Sequence, residues 1–316
     1  MANSILSAKV LQSESAAIAW VEARVWPDGP VCPHCGGVER IGKMAGKATR
    51  IGLYKCYQCR KQFTVKVGTV FEDSHVPMNL WLQAMYLLCS SKKGISSNQL
   101  SRTLGVTLKT AWFMSHRIRE AMRVVGVEPM GGDGKTVEAD ETYFGTIPKD
   151  ELMPRALGVG KKKIGKRAGI RRPAYRAVVA LVERGGKARS FHVERADQDT
   201  VHQIMAANIT KEASVNTDES HLYNIAKWRF AKHETVKHSA NEYVRGDVTT
   251  NSVEGYFSIF KRGMKGVYQH CSEKHLHRYL AEFDFRYSNR VRLGVDDVER
   301  TSRAVAAIVG KRLTYR

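Results

Sequence analysis

Three acidic residues, Asp140, Asp218 and Glu254, stand in a chain with 51 Lys and Arg against 31 Asp and Glu, a net charge of +20. So basic a protein has few reasons to keep carboxylates inside apolar strands. In "TVEADETYF" (136–144), the strand period of two puts Val137 and Ala139 on one face and Glu138, Asp140 and Thr142 on the other. Asp140 can then face a cleft while its neighbours pack. Asp218 closes "SVNTD" at a strand tip, a usual place for binding groups in an α/β domain. Capping the next helix is its other reading. In "TTNSVEGYFSIFKRGMK" (249–265), about 100° per residue aligns Val253, Tyr256, Phe257, Phe260 and Met264, with Glu254 and Lys261 together on the flank of that stripe. Asn251 and Glu254 also resemble an N-cap and its capping-box partner, which leaves Lys261 unexplained.

Three carboxylates on one sheet edge would hold two divalent cations about 3.5–4 Å apart, the arrangement that activates an attacking oxygen and stabilises a leaving oxygen in phosphoryl transfer. Hard oxygen donors suit Mg²⁺, with Mn²⁺ as a possible substitute. Asp140 would bridge both ions, Asp218 and Glu254 would each complete one, and Lys261 would hold a phosphate.

A second chemistry lies in "CPHC" (Cys32, Cys35) and "CYQC" (Cys56, Cys59), separated by 20 residues. Two such knuckles complete a tetrahedral S₄ zinc site with no open position, so this zinc is structural and supplies folding energy that a small module cannot obtain from burial. Disulfides or redox thiols are the other reading, disfavoured in a cytoplasmic chain. His34 is surplus to a filled site, Cys89 reads as core, and Cys271 is a lone thiol.

The elements that must position these groups follow from pattern. A helical segment spans 1–29, a zinc ribbon 30–72 and a helix-turn-helix domain 73–124, with the turn at "LGVT" and Ser96 or Ser97 as a cap. Its second helix would enter the major groove and offer Lys109, Thr110, Ser115 and Arg117 to DNA. An ordinary helical hairpin is the alternative. A Gly-rich linker spans 125–135. From 136 to 295 the order is three strands in series, then αβαβα, an α/β domain, followed by a C-terminal basic helix or tail at 296–316. The loop "KKKIGKRAGIRR" (161–172) holds seven basic residues and no acid; Lys161, Lys162, Lys163, Lys166 and Arg167 are placed to track phosphates. Arg262 beside Lys261 joins them. The charge favours a polyanionic partner, nucleic acid foremost. No apolar run is long enough to span a membrane and no secretory signal is evident, so a cytoplasmic protein is expected.

"VEADETYFG", "NTDESHLY", "HSANEYVRGDVTTNSVEGYFSIFKRGMKGVYQH" and "HLHRYLAEFDFRY" resemble the insertion-sequence DDE transposases related to the Merlin elements. The resemblance covers nearly the whole chain. It implies an RNase H-like catalytic core behind a zinc ribbon and helix-turn-helix, with Asp140 as first acid, Asp218 as second and Glu254, 36 positions later, as third. Some relatives carry an asparagine in place of the third acid, and Asn251 is the candidate here. Charge ranks Glu254 first, because a neutral amide offsets less of the repulsion between two cations. The resemblance further implies binding of double-stranded DNA at terminal inverted repeats, cleavage and 3′-hydroxyl strand transfer, a synaptic homodimer or larger multimer, and a bacterial, nucleoid-associated location. A DNA-binding regulator with a degenerate core and a metal-dependent nuclease without strand transfer are the rival readings.

Overall fold

The computed structural model describes residues 5–124, 126, 128–146 and 175–314. The basic loop, with Lys161, Lys162, Lys163, Lys166 and Arg167, lies outside the described residues. Two compact units form. One comprises Met1–Gly126, Arg262–His270 and Ala281–Arg316, the other Val127–Lys261 and Cys271–Leu280. The boundary expected at 295/296 does not fall there, because the C-terminal segment contributes Ala304, Val305 and Ile308 to the core of the first unit. It is a helix capped by Asp296 and buried along one face, rather than a tail.

In the first unit, α1 (Lys9–Gln12) and α2 (Glu14–Val25) precede a three-stranded antiparallel ribbon of β1 (Ile41–Lys43), β2 (Tyr54–Cys56) and β3 (Gln62–Phe63). The cross-strand pair Tyr54 and Phe63 stacks at 5.8 Å under the edge of Trp26, a small aromatic core beside the cysteines. Helices α3 (Met78–Ser90), α4 (Ser97–Leu104) and α5 (Leu108–Met122) follow. Ser96 caps α4 by accepting from Gln99 N, Gly105 closes it at φ +66°, and Thr107 caps α5 by accepting from Thr110 N. These caps produce the expected turn between two helices.

The second of those helices is not exposed along its length. From Met114 to Met122 every residue is buried. Ser115 Oγ donates to Trp112 O, while Arg117 Nη1 donates to Val70 O and Glu72 O at 3.0 and 2.7 Å. Ser115 and Arg117 therefore serve the core and are withdrawn from the set expected to face DNA. The exposed residues of this helix, Leu108 and Lys109, lie in its first turn, and Thr110, Trp112 and Phe113 are half-buried.

A buried carboxylate organises the rest of this core. Glu282, in α9 (Glu273–Ser288), accepts from Arg119 Nε at 2.7 Å, from Tyr268 OH at 2.5 Å and from Arg286 Nη1. Burial opposes its charge, and the two guanidinium groups reverse that effect, so its pKa lies below the ordinary glutamate value.

In the second unit, β4 (Thr136–Thr146), β5 (Tyr175–Glu183), β6 (Ala188–Val193), β7 (Ser214–Thr217) and β8 (Lys232–Thr235) form a sheet of order β6-β5-β4-β7-β8. The first three strands are antiparallel, while β7 runs parallel to β4 and β8 parallel to β7. This is the mixed, RNase H-like α/β sheet. One face packs Val137, Ala139, Val179, Leu181 and Val215 against Val201, Met205 and Ile209 of α6 (Gln198–Asn208) and its flank. The other face bears Glu138, Asp140 and Phe144, and Phe144 meets Phe260 of α8 (Asn251–Gly263) at 5.6 Å. "HLYNIAKWR" forms a 3₁₀ turn (His221–Tyr223) and a short α7 (Ala226–Arg229) instead of one helix. A hairpin absent from the sequence-based expectation, β9 (Val244–Arg245) and β10 (Val248–Thr249), turns at Gly246, φ +60°, just before α8.

Replacing Glu282 by Ala would leave two buried guanidinium groups without their anion. Stability in urea is expected to fall by about 3–5 kcal/mol, with zinc content unchanged. A change below 1 kcal/mol would show that the cluster is not an organising charge.

Candidate active site and metal centre

The register of the parallel strands sets the geometry of the acids. Glu138 pairs with Asn216 in the β4–β7 ladder; Asp140, two places further along β4, shares the Glu138 face that carries α8, and Asp218 directly follows Thr217, the last residue of β7, close enough to raise the pKa of Asp140. Asp140 Oδ1 accepts from Glu141 N at 2.8 Å, and Asp218 Oδ1 accepts from Ser220 N at 3.0 Å. Neither carboxylate takes a Lys or Arg partner among the described residues. Burial, reinforced by Glu141, Asp218 and Glu254, pushes Asp140 up to about 7. Burial also raises Asp218, against the pull of Ser220 N–H and His238.

Helix α8 supplies the third group. Thr250, rather than Asn251, stands at the N-cap position: its carbonyl accepts from Glu254 N at 3.0 Å and its hydroxyl donates to Glu254 Oε1 at 2.7 Å. Glu254 is thus one place too far along for a capping box. His238 Nε2 lies 3.5 Å from the same Glu254 oxygen. Asn251 donates its N–H to Thr249 Oγ1, and its side chain is exposed. Lys261 is half-buried on the same helix, about 10 Å along the axis from Glu254. Arg262, exposed, belongs to the other unit.

His233, Tyr223 and Arg245, close to the acids along the chain, each take a partner of their own. His233 Nε2 lies 3.0 Å from Thr217 Oγ1 and is held below the ordinary histidine value by burial and then Lys227. Tyr223 OH donates to Glu141 Oε2 at 2.5 Å, and Arg245 Nη2 donates to Thr235 O.

Sequence reasoning missed Glu138, Arg184 and Thr250. Glu138 is fully buried and accepts from Ser252 N, Val253 N and Ser252 Oγ at the start of α8, and from Arg184. The available signal was its place on the Asp140 face, two residues earlier.

The donor set of Asp140, Asp218 and Glu254 fits hard divalent cations. Asp140, whose pKa Asp218 and Glu254 both raise, and Asp218 are half-buried and take no Lys or Arg partner among the described residues, so added positive charge stabilises their ionised forms. The four cysteines fit zinc more tightly, with all their sulfurs within 4.8 Å of one another. Cys32 Sγ and Cys59 Sγ are 3.7 Å apart, Cys35 Sγ and Cys56 Sγ 3.8 Å. A tetrahedron with Zn–S bonds of about 2.3 Å has edges of about 3.8 Å. Disulfides, at about 2.05 Å, are not formed. Backbone N–H groups of Cys59 and Gln58 bring the Cys56 thiol down to about 7, favouring the thiolate a metal needs. His34 instead pairs with Gln62 O.

Residues 131–288, half of the chain, match the family described as the ISXO2-like transposase domain, and residues 12–62 match the transposase zinc-ribbon domain. An uncharacterized protein in transposable element ISH50 of Halobacterium salinarum is 27% identical over 283 residues, covering 88% of this chain and 92% of that protein. A chain of the simian T-cell lymphotropic virus intasome, solved in complex with PP2A regulatory subunit B56 gamma, matches 58% of this chain and 63% of its own length at 11% identity. Its TM-score of 0.29 is too low to bear on this one.

Metal analysis should find about one zinc per chain, lost in a Cys32→Ser, Cys56→Ser protein; retained zinc would contradict the S₄ site. In metal-free protein Asp140 binds its proton more tightly folded, near 7, than at its ordinary 3.8. Its contribution to stability therefore declines as pH rises from about 4 to 7. Asp140→Asn should raise the melting temperature at pH 8, by at most about 4 kcal/mol in free energy, and have little effect at pH 4. Equal effects at both pH values would contradict this.

Proposed function

Because this chain belongs to the ISXO2-like transposase family, we propose that it is a DNA transposase that cuts at the terminal inverted repeats of its insertion sequence and joins the freed 3′-hydroxyl to target DNA. The observation that carries this reading is the half-buried pair Asp140 and Asp218, both with raised pKa and neither with a Lys or Arg partner among the described residues. Magnesium or manganese, when bound, supplies the Lewis acidity that activates an attacking oxygen and stabilises a leaving one.

The chain's own residues supply position and charge. Asp140 is within electrostatic reach of both Asp218, just past β7, and Glu254 on α8, so Asp140 would contribute to both cations and Asp218 and Glu254 to one each. Those two acids need not approach each other closely. Thr250 holds Glu254 through Oε1, which leaves Oε2 to ligate. Lys261, two turns along α8 on the same flank, reaches a phosphate of the bound strand. Asn251 remains the alternative third ligand.

The zinc ribbon and the exposed turn bearing Lys109 and Thr110 would select the element's ends. Arg262 and the basic residues Lys161, Lys162, Lys163, Lys166 and Arg167 would add phosphate contacts whose strength falls with salt. A homodimer or larger multimer would hold the two ends in synapsis.

The test is Mg²⁺-dependent cleavage and joining on the element's own ends. Asp140→Asn and Asp218→Asn should each reduce both steps by about 10³-fold or more, with end binding retained, and Glu254→Gln should do the same. Loss with Asn251→Ala but not with Glu254→Gln would reassign the third ligand. Cleavage without joining would identify a nuclease, and full function in Asp140→Asn would identify a non-catalytic DNA-binding protein.

A further inference from the structure

The first turn of α8 is tied to the sheet by a buried ion pair that the proposed chemistry does not use. Glu138 Oε2 accepts from Ser252 N at 2.7 Å and Val253 N at 3.1 Å, and Glu138 Oε1 accepts from Ser252 Oγ at 3.0 Å. Arg184 returns to Glu138 Oε1 through Nε and Nη2 at 3.2 and 3.0 Å, and donates to Asp247 O and Thr249 O at 2.8 and 3.3 Å. Asn216, opposite Glu138 in the sheet, donates to Thr249 O as well. The residues bound by this cluster, 247 to 253, end immediately before Glu254.

Capping alone does not account for so costly an arrangement. Thr250 already stands at the N-cap position, and a short polar side chain satisfies a helix start without desolvating a full charge. A buried ion pair contributes little net stability compared with apolar residues of the same volume. What a carboxylate on two successive N–H groups does provide is a fixed height and rotation for the helix. One residue of slippage would move Glu254 by about 1.5 Å and turn it by about 100°, well outside the tolerance of a metal-ligand constellation.

We infer that Glu138, neutralised by Arg184, is a positioning residue that sets Glu254 over the Asp140–Asp218 row, and that it governs metal affinity without touching metal or DNA. This rests on the catalytic reading of those three acids. It acts as the hydrogen-bonded supports of a metal ligand do, whose loss costs about 10–100-fold in affinity or activity. Glu138 is reserved for this task by register: it lies on the same face as Asp140, one side-chain repeat away, about 7 Å along the strand.

The experiment uses the full chain and two variants, Glu138→Gln and Arg184→Met. In metal-free protein, amide exchange at Ser252 and Val253 should quicken about ten-fold in both. Mn²⁺ binding to the protein with end DNA, followed by electron paramagnetic resonance, should show the half-saturating Mn²⁺ concentration rising about ten-fold in both. Opposite shifts would overturn the proposal: loss of an anion alone would weaken cation binding and loss of a cation alone would strengthen it, so the cluster would then act only through its charge. An unmoved Mn²⁺ midpoint with quickened exchange would also overturn it, leaving a purely structural tie. Should Glu138→Gln lose its cooperative melt, Arg184→Met, at a site with one-third of its side chain exposed, decides the matter. Asp140→Asn run beside them separates the two levels. If it keeps wild-type cleavage the catalytic reading fails; if it is inactive while both variants bind Mn²⁺ normally, only the positioning role fails.

Discussion

Two carboxylates near the same end of neighbouring parallel strands repel each other, and partial burial removes water that would soften the repulsion. Asp140 on β4 and Asp218 just past the end of β7 are in that situation, half-buried, with Asp218 raising the pKa of Asp140. Much of the second unit can be understood as support for it. The apolar face of the same strands, Val137, Ala139 and Val215, is buried against α6, which offsets the cost of holding charge on the opposite face. Tyr256 of α8 meets Ser190 at the far end of the Asp140 row, where Ala180 pairs with Ser190. The row of acids is therefore covered by a helix whose contacts with the sheet are polar near Glu138 and aromatic near Phe144.

The first unit meets a different shortage. Its ribbon has only three short strands and the cluster of Trp26, Tyr54 and Phe63, too little apolar area for a fold of its own. Sulfur atoms already spaced for a tetrahedron make up the difference. Elsewhere in the unit, arginine is used as a core residue. Arg117 satisfies backbone carbonyls and Arg119 partners Glu282, so part of the chain's basic excess is spent internally and is not available to a polyanion.

Features with a local cause were legible in the sequence. The CxxC pairs, the strand alternation around Asp140, the helix-turn-helix punctuation at Ser96 and Gly105, and the apolar stripe of α8 each follow from spacing and backbone preference. Those with a distant cause were not. Arg117 and Ser115 sit on a helix that looks basic and polar in isolation, and only the neighbouring chain at 70–72 reveals why they turn inward. Asn251 looked like the cap because it precedes a helix with Glu254 three places on. The position belongs to Thr250, since two of the first N–H groups are taken by a carboxylate more than a hundred residues away. The brief hairpin at Gly246 was lost within a polar stretch too short to show alternation.

That hairpin gives the interval between the second and third acids a physical meaning. From Asp218 the chain folds through α7, returns along β8 in register with β7, reverses at Gly246 and is pinned at Asp247 and Thr249 before α8 begins. The 36 positions to Glu254 are therefore a counted path rather than slack. Adding or deleting a residue there would present a different side chain to the acid row, so the number itself is part of the site and can serve as its signature.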